Sequence, residues 1–158
     1  MKVIQAISLS ILFALVGCNT VDVPQLTPLE IQSLQSRDFE QKKEIVFPAV
    51  LSVLQDLGYI IDSADLNTGF MTGHSPTDTT HDWLWSGNKY STETAITAFV
   101  EQINPTMTKV RVNLVASKAT ASAWGQKTDQ DTPIYDAEPY RVLFTKIGDA
   151  IFVREGMK

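Results

Sequence analysis

Cys18 is the only cysteine in 158 residues, and the lack of a second excludes an intramolecular disulfide. Stability must come from apolar burial, for which a hydrophobic fraction of 44% is adequate. Basic residues are also short: 13 Lys and Arg face 18 Asp and Glu, a net charge of −5. A chain of that sign has no footprint for nucleic-acid phosphates and gains little from anionic lipid headgroups. Histidine occurs twice, and no Gly-x-Ser-x-Gly elbow is there to place a hydrolase nucleophile. No cofactor signature, internal repeat or low-complexity tract is visible. No apolar run reaches the roughly 20 residues that a membrane-spanning helix needs. These absences point to a protein that is not an enzyme and carries no cofactor.

What is present begins at the N-terminus. Lys2 supplies a positive start, residues 3–14 are mostly apolar and uncharged, and Leu15-Val16-Gly17-Cys18 closes the segment on small residues and a cysteine. That is the layout of a secretory signal peptide ending in a lipobox, where the cysteine is acylated with palmitate-type chains and the chain is cut before it. An ordinary signal peptide with a chance cysteine is the alternative. Asn19 rather than Asp follows the cysteine, which in the enterobacterial sorting rule matches an outer-membrane destination with the domain facing the periplasm. Residues 1–17 are thus expected to be signal. Residues 18–32, polar and containing Pro24 and Pro28, are expected to form a lipidated N-terminus and flexible tether. Residues 33–158 are expected to form one domain.

Residues 33–39 could make a short strand, though their alternation is weak. Phe47, Val50, Leu51, Leu54 and Leu57 follow the spacing of one helical stripe. Pro48 is expected in the first turn of that helix and Gly58 in its C-terminal cap. Segments 59–64 and 70–74 flank Asp65-Leu66-Asn67-Thr68-Gly69, a turn-forming cluster that predicts a hairpin. Segments 94–103 and 108–117 predict a second, longer hairpin. Val110, Val112 and Leu114 alternate with Arg111, Asn113 and Val115, and Ile96, Ala98 and Val100 supply the matching face. Asp136 can cap a last helix whose stripe is Tyr140, Leu143, Phe144, Ile147 and Ile151. The expected fold class is α+β, an antiparallel sheet of four to five strands with two helices on one face.

The run from Val50 to Tyr59, followed by Ile61, Asp62, Asp65 and Gly69-Phe70-Met71-Thr72, resembles the helix-grip domains of the BamC lipoproteins of the outer-membrane β-barrel assembly machinery. The similarity covers roughly residues 33–155, and the lipobox, the later hairpin and the final helix fit the same arrangement. BamC carries two such domains and a long extended arm, whereas this chain has room for one domain and a short tether. The resemblance implies a helix-grip fold and no catalytic residues.

Candidate chemistry is sparse. His74 and His81 with Asp78 and Asp82 make a His/Asp-rich stretch, but their spacing fits no helical ligand pattern and no metal is expected. Asp62, Asp65, Asn67 and Gly69 miss the calcium-loop spacing and read as turn chemistry. Trp83 and Trp85 stand two apart in a long polar connection, residues 75–92, that also holds Tyr90. Exposed tryptophans are favoured interface anchors, so Trp83, Trp85, Tyr90 and Trp124 are the candidate partner or ligand contacts. The alternative is that a tryptophan folds back as a lid on the core. The expected role is that of an outer-membrane lipoprotein acting as an accessory or adaptor in an envelope assembly, held to the membrane by acyl chains and working through envelope-protein contacts. The second expectation is a module that holds a lipid or small apolar ligand between helix and sheet.

Overall fold

The structure, a computed structural model, describes residues 26–82 and 88–156. The lipobox, Cys18 and residues 19–25 of the expected tether lie outside the described residues. Among the described residues the chain is α+β, with three helices and a seven-stranded antiparallel sheet. The order is α1 (Pro28–Gln35), β1 (Ser36–Phe39), α2 (Lys43–Asp56), β2 (Ile60–Asp65), β3 (Phe70–His74), β4 (Asp78–Asp82), β5 (Asn88–Asn104), β6 (Met107–Ala121), β7 (Lys127–Pro133) and α3 (Ala137–Gly156). No helix among these residues is long and apolar enough to cross a membrane.

The sheet exceeds the four or five strands expected, because β4 and β7 are polar and carry no apolar alternation. Residues 28–32, expected in the tether, instead open α1. Thr27 Oγ1 accepts from the Glu30 amide at 3.3 Å while Glu30 Oε2 accepts from the Thr27 amide at 2.7 Å. That reciprocal capping box, with Pro28 as the first helical residue, nucleates a helix too short to show a stripe. Residues 33–35 belong to the same helix, so the first strand starts at Ser36.

Helix α2 begins earlier than its stripe suggested, at Lys43, which puts Pro48 inside it rather than in its first turn. The proline ring removes the amide that Glu44's carbonyl would have accepted. Val46, Ala49 and Val53 are buried beside Phe47, Val50 and Leu54, whereas Leu51 is half-buried and Leu57 exposed. The helix ends as expected. Gly58, at φ +86°, donates to Gln55 O at 2.9 Å and Tyr59 N donates to Leu54 O at 3.0 Å, the paired bonds of a Schellman cap. In α3, Asp136 Oδ1 accepts from the Glu138 amide at 3.1 Å, and the five expected stripe residues are the buried ones.

Strands β5 and β6 form one long hairpin, and every other strand pairs with part of it, directly or through β3. Toward the hairpin's turn, the order β1-β6-β5-β3-β2 makes a five-stranded body. Ile96, Ala98, Val100, Val110, Val112, Leu114 and Met71 point from its one face into a core shared with α2 and α3. Toward the other end, β4 replaces β3 beside β5 and β7 replaces β1 beside β6. The result is a four-stranded extension whose outer strand β7 is exposed at every residue.

The change of partner happens at nearly one level on both sides of the hairpin. On one side Ser75 bridges β3 and β4: its amide donates to Thr94 O at 2.8 Å and its hydroxyl accepts from Thr94 N at 2.9 Å. On the other side Leu114 faces the gap between β1 and β7. Its carbonyl accepts from Ile134 N at 2.9 Å. Its amide donates to the buried Tyr140 hydroxyl at 3.2 Å, which in turn donates to Ile134 O at 2.9 Å. A side chain from α3 thus stands where a strand would have been, which gives the Leu114 amide a partner.

Candidate functional site

The long connection expected over 75–92 is mostly sheet. Residues 78–82 pair with 88–92 as a hairpin, because their threonines and serine suit a solvated ladder and β5 offers a free edge there. Trp83 and Trp85 lie outside the described residues, as do the side chains of His81 and Asp82. Tyr90 lies within β5, half-buried, with the Lys118 ammonium 5.7 Å from its ring centroid. Trp124 is 94% exposed in the turn joining β6 to β7, so it is not a lid on the core. Ser122 accepts from Gly125 N at 3.0 Å and Gly125 adopts φ +80°, which fixes the turn and leaves the indole in solvent. The structure does not bring Tyr90 and Trp124 together in one cavity.

His74 is committed elsewhere: its Nδ1 is 3.0 Å from Asp62 on the neighbouring strand. The hydrogen bond to Asp62, aided by the charges of Asp62 and Glu93, raises the His74 pKa above its ordinary 6.5. No cluster of three metal-ligating side chains occurs among the described residues. Asp65 is spent on its turn, accepting from Asn67 N at 2.9 Å through Oδ1. Gly69 closes that turn at φ +84°, and a Cβ there would sit 2.2 Å from Val100 O; only glycine tolerates both the dihedral and the approach.

Period-two alternation buries one face of the body and necessarily presents the other. Among the described residues that second face meets a helix only where Ile31 and Gln35 of α1 reach it, and register sorts its side chains into rows. Asp38, Lys109 and Glu101 form a charged row, with Lys109 Nζ 3.7 Å from Asp38. The next row is Phe70, Phe99 and Arg111, each the direct partner of the next; the two rings lie 4.7 Å apart between centroids. Beside it run Thr72, Thr97 and Asn113. Gln35, 4% exposed, reaches round from α1 and donates to Asn113 Oδ1 at 3.1 Å. Arg111 Nη2 donates to Gln35 Oε1 at 3.5 Å. Ile31, Pro133 and Tyr135 wall this region into a groove of about 510 Å³. A second depression, about 310 Å³ and more apolar, lies on the helix side where α2 ends and α3 begins. Leu57, Tyr59, Ile96, Leu114, Val142 and Leu143 line it.

None of the groove residues was singled out by sequence reasoning. The signal was the polar half of the alternation in β6, and the meaning of Arg111 and Asn113 there depends on what register sets beside them.

No family model and no curated protein matches the chain. Among solved structures, a DUF4468 family protein from Bacteroides ovatus ATCC 8483 superposes with a TM-score of 0.40 and 10% identity, covering 84% of this chain and 91% of that one. A likeness that loose carries no argument about function.

Proposed function

We propose that this is an outer-membrane lipoprotein, anchored through Cys18, whose periplasmic domain acts as a non-enzymatic accessory in an envelope assembly through protein contacts. The helix-grip, BamC-like description is part of the same proposal. The observation that carries it is the amount of exposed surface among the described residues: a sheet face that α1 alone reaches, and an extension that ends in the exposed Trp124. Large amphipathic side chains held on strands or on a fixed turn between them serve as contact anchors at low entropic cost. The lipobox supports the anchoring half, since several acyl chains bind a membrane stably where one does not.

The test is purification of the full chain with its anchor intact after gentle detergent extraction, followed by identification of co-purifying envelope proteins. Specific partners that are lost with Trp124→Ala are the expected result. Fatty-acid labelling that persists in Cys18→Ser, or normal membrane retention of that variant, would overturn the anchor. A second reading, a module for a lipid or small apolar ligand, is favoured by the 310 Å³ depression between helices and sheet. Retained lipid in native mass spectrometry would support it.

A further inference from the structure

The groove on the sheet face opposite α2 and α3 sets hydrogen-bonding groups beside apolar surface. Gln35 and Asn113 each turn their amide oxygen to a neighbour within the cluster: Gln35 Oε1 accepts from Arg111, and Asn113 Oδ1 accepts from Gln35. The groove therefore offers the donors of the Arg111 guanidinium and the Asn113 amide nitrogen, beside the Thr97 and Tyr135 hydroxyls, which can donate as well. Arg111 forms no ion pair with a carboxylate among the described residues, whereas Lys109 one row away is paired with Asp38. Apolar surface flanks the cation on both sides, Phe70 and Phe99 along the row and Ile31 and Tyr135 from the wall.

From this arrangement we infer that the groove binds a small amphipathic monocarboxylate, its apolar body on Phe70 and Phe99 and its carboxylate on Arg111 and Asn113. The volume, about 510 Å³, is within the range of small-molecule sites. Guanidinium and carboxylate match in a two-pronged, charge-assisted contact. A peptide strand is the poorer fit, because the groove floor is β5 and β6, both paired on each side with their backbone groups already in ladders. Recognition there has to come from side chains. The net charge of −5 repels anions at long range, so selectivity rests on the local donors. The inference stands apart from the adaptor reading and from the apolar depression on the opposite face.

The probe is 4-phenylbutyrate, compared with its uncharged amide, titrated against the full chain in lipid nanodiscs by ligand-observed saturation-transfer NMR, with empty nanodiscs as blank. The carboxylate should bind about ten- to a hundredfold more tightly than the amide, the usual effect of a charged hydrogen bond. Arg111→Gln should abolish that preference, Phe99→Ala should weaken both ligands, and Lys109→Gln should leave the preference intact. Arg111 is exposed, so its variant is expected to fold, which its melting curve will verify. Absence of saturable carboxylate binding, equal affinity for the two ligands, or a preference that survives Arg111→Gln would each overturn the proposal. So would a preference lost equally in Lys109→Gln, which would mean unspecific attraction to positive charge.

Discussion

The two halves of the β5–β6 hairpin share one backbone ladder and almost nothing else. In the body, β6 alternates buried Val110, Val112 and Leu114 with exposed Arg111 and Asn113, and two helices cover the apolar side. In the extension, Ser117, Lys118, Ala119 and Thr120 pair with Asp131, Gln130, Asp129 and Thr128, and none of these eight residues is fully buried. Burial stabilises by roughly 25 cal/mol per Å² of apolar area, so the body carries most of the hydrophobic contribution. The extension is held by ladder hydrogen bonds and cross-strand pairs, each modest in net effect. Hairpins of that kind are marginal alone. The extension persists because β5 and β6 enter it already aligned by the core.

The comparison breaks most sharply in the core. Leu54→Ala, at a fully buried α2 position, should cost about 2–5 kcal/mol in chemical denaturation, while the exposed neighbour Gln55→Ala should stay under about 0.5 kcal/mol. Equal effects would show that α2 presents a different face to the sheet. Next comes the level at which the partners change. Tyr140→Phe removes the acceptor for the Leu114 amide and the donor to Ile134 O, leaving buried groups unmatched at about 1–3 kcal/mol. Hydrogen exchange sharpens this prediction. Amides of residues 96–100 and 110–114 should open with the global free energy, and those of 89–92 and 118–121 through a smaller local opening.

Trp124→Ala at the tip should shift the denaturation midpoint by under about 0.5 kcal/mol, because the indole is 94% exposed. A larger loss would mean that the turn supports the sheet. The smallest effect concerns His74 and Asp62 on the body's face opposite α2 and α3. The folded-state pKa of His74 is raised, so the stabilisation from its protonated form is complete below the unfolded value near 6.5 and is lost as pH rises through the folded value. NMR titration should find His74 above 6.5, and Asp62→Asn should bring it down toward that figure. A His74 pKa unmoved by the substitution would mean that the pair does not form in solution.

The same contrast explains what was legible in the chain. The body's elements announce themselves, since Leu54, Val112 and Leu143 belong to stripes whose period is written locally. The extension does not. Lys127–Pro133 reads KTDQDTP, with no apolar periodicity, and Asp78–Asp82 is equally polar. Their strand character comes from neighbours that lie elsewhere in the sequence. The Thr27–Glu30 capping box was a local signal for α1 that apolar periodicity alone passes over.

Sequence alone determined the two packed helices, the Gly58 and Asp136 caps, both hairpin turns and the buried alternation of β5 and β6. Each is set by interactions within a few residues or by a period along one element. Tertiary structure alone decided that β4 and β7 are strands, that Tyr140 substitutes for a missing strand at Leu114, and that Phe70, Phe99 and Arg111 form one row. Those outcomes depend on register between segments distant in sequence, where backbone hydrogen bonds and core packing choose the partner and the side chains follow.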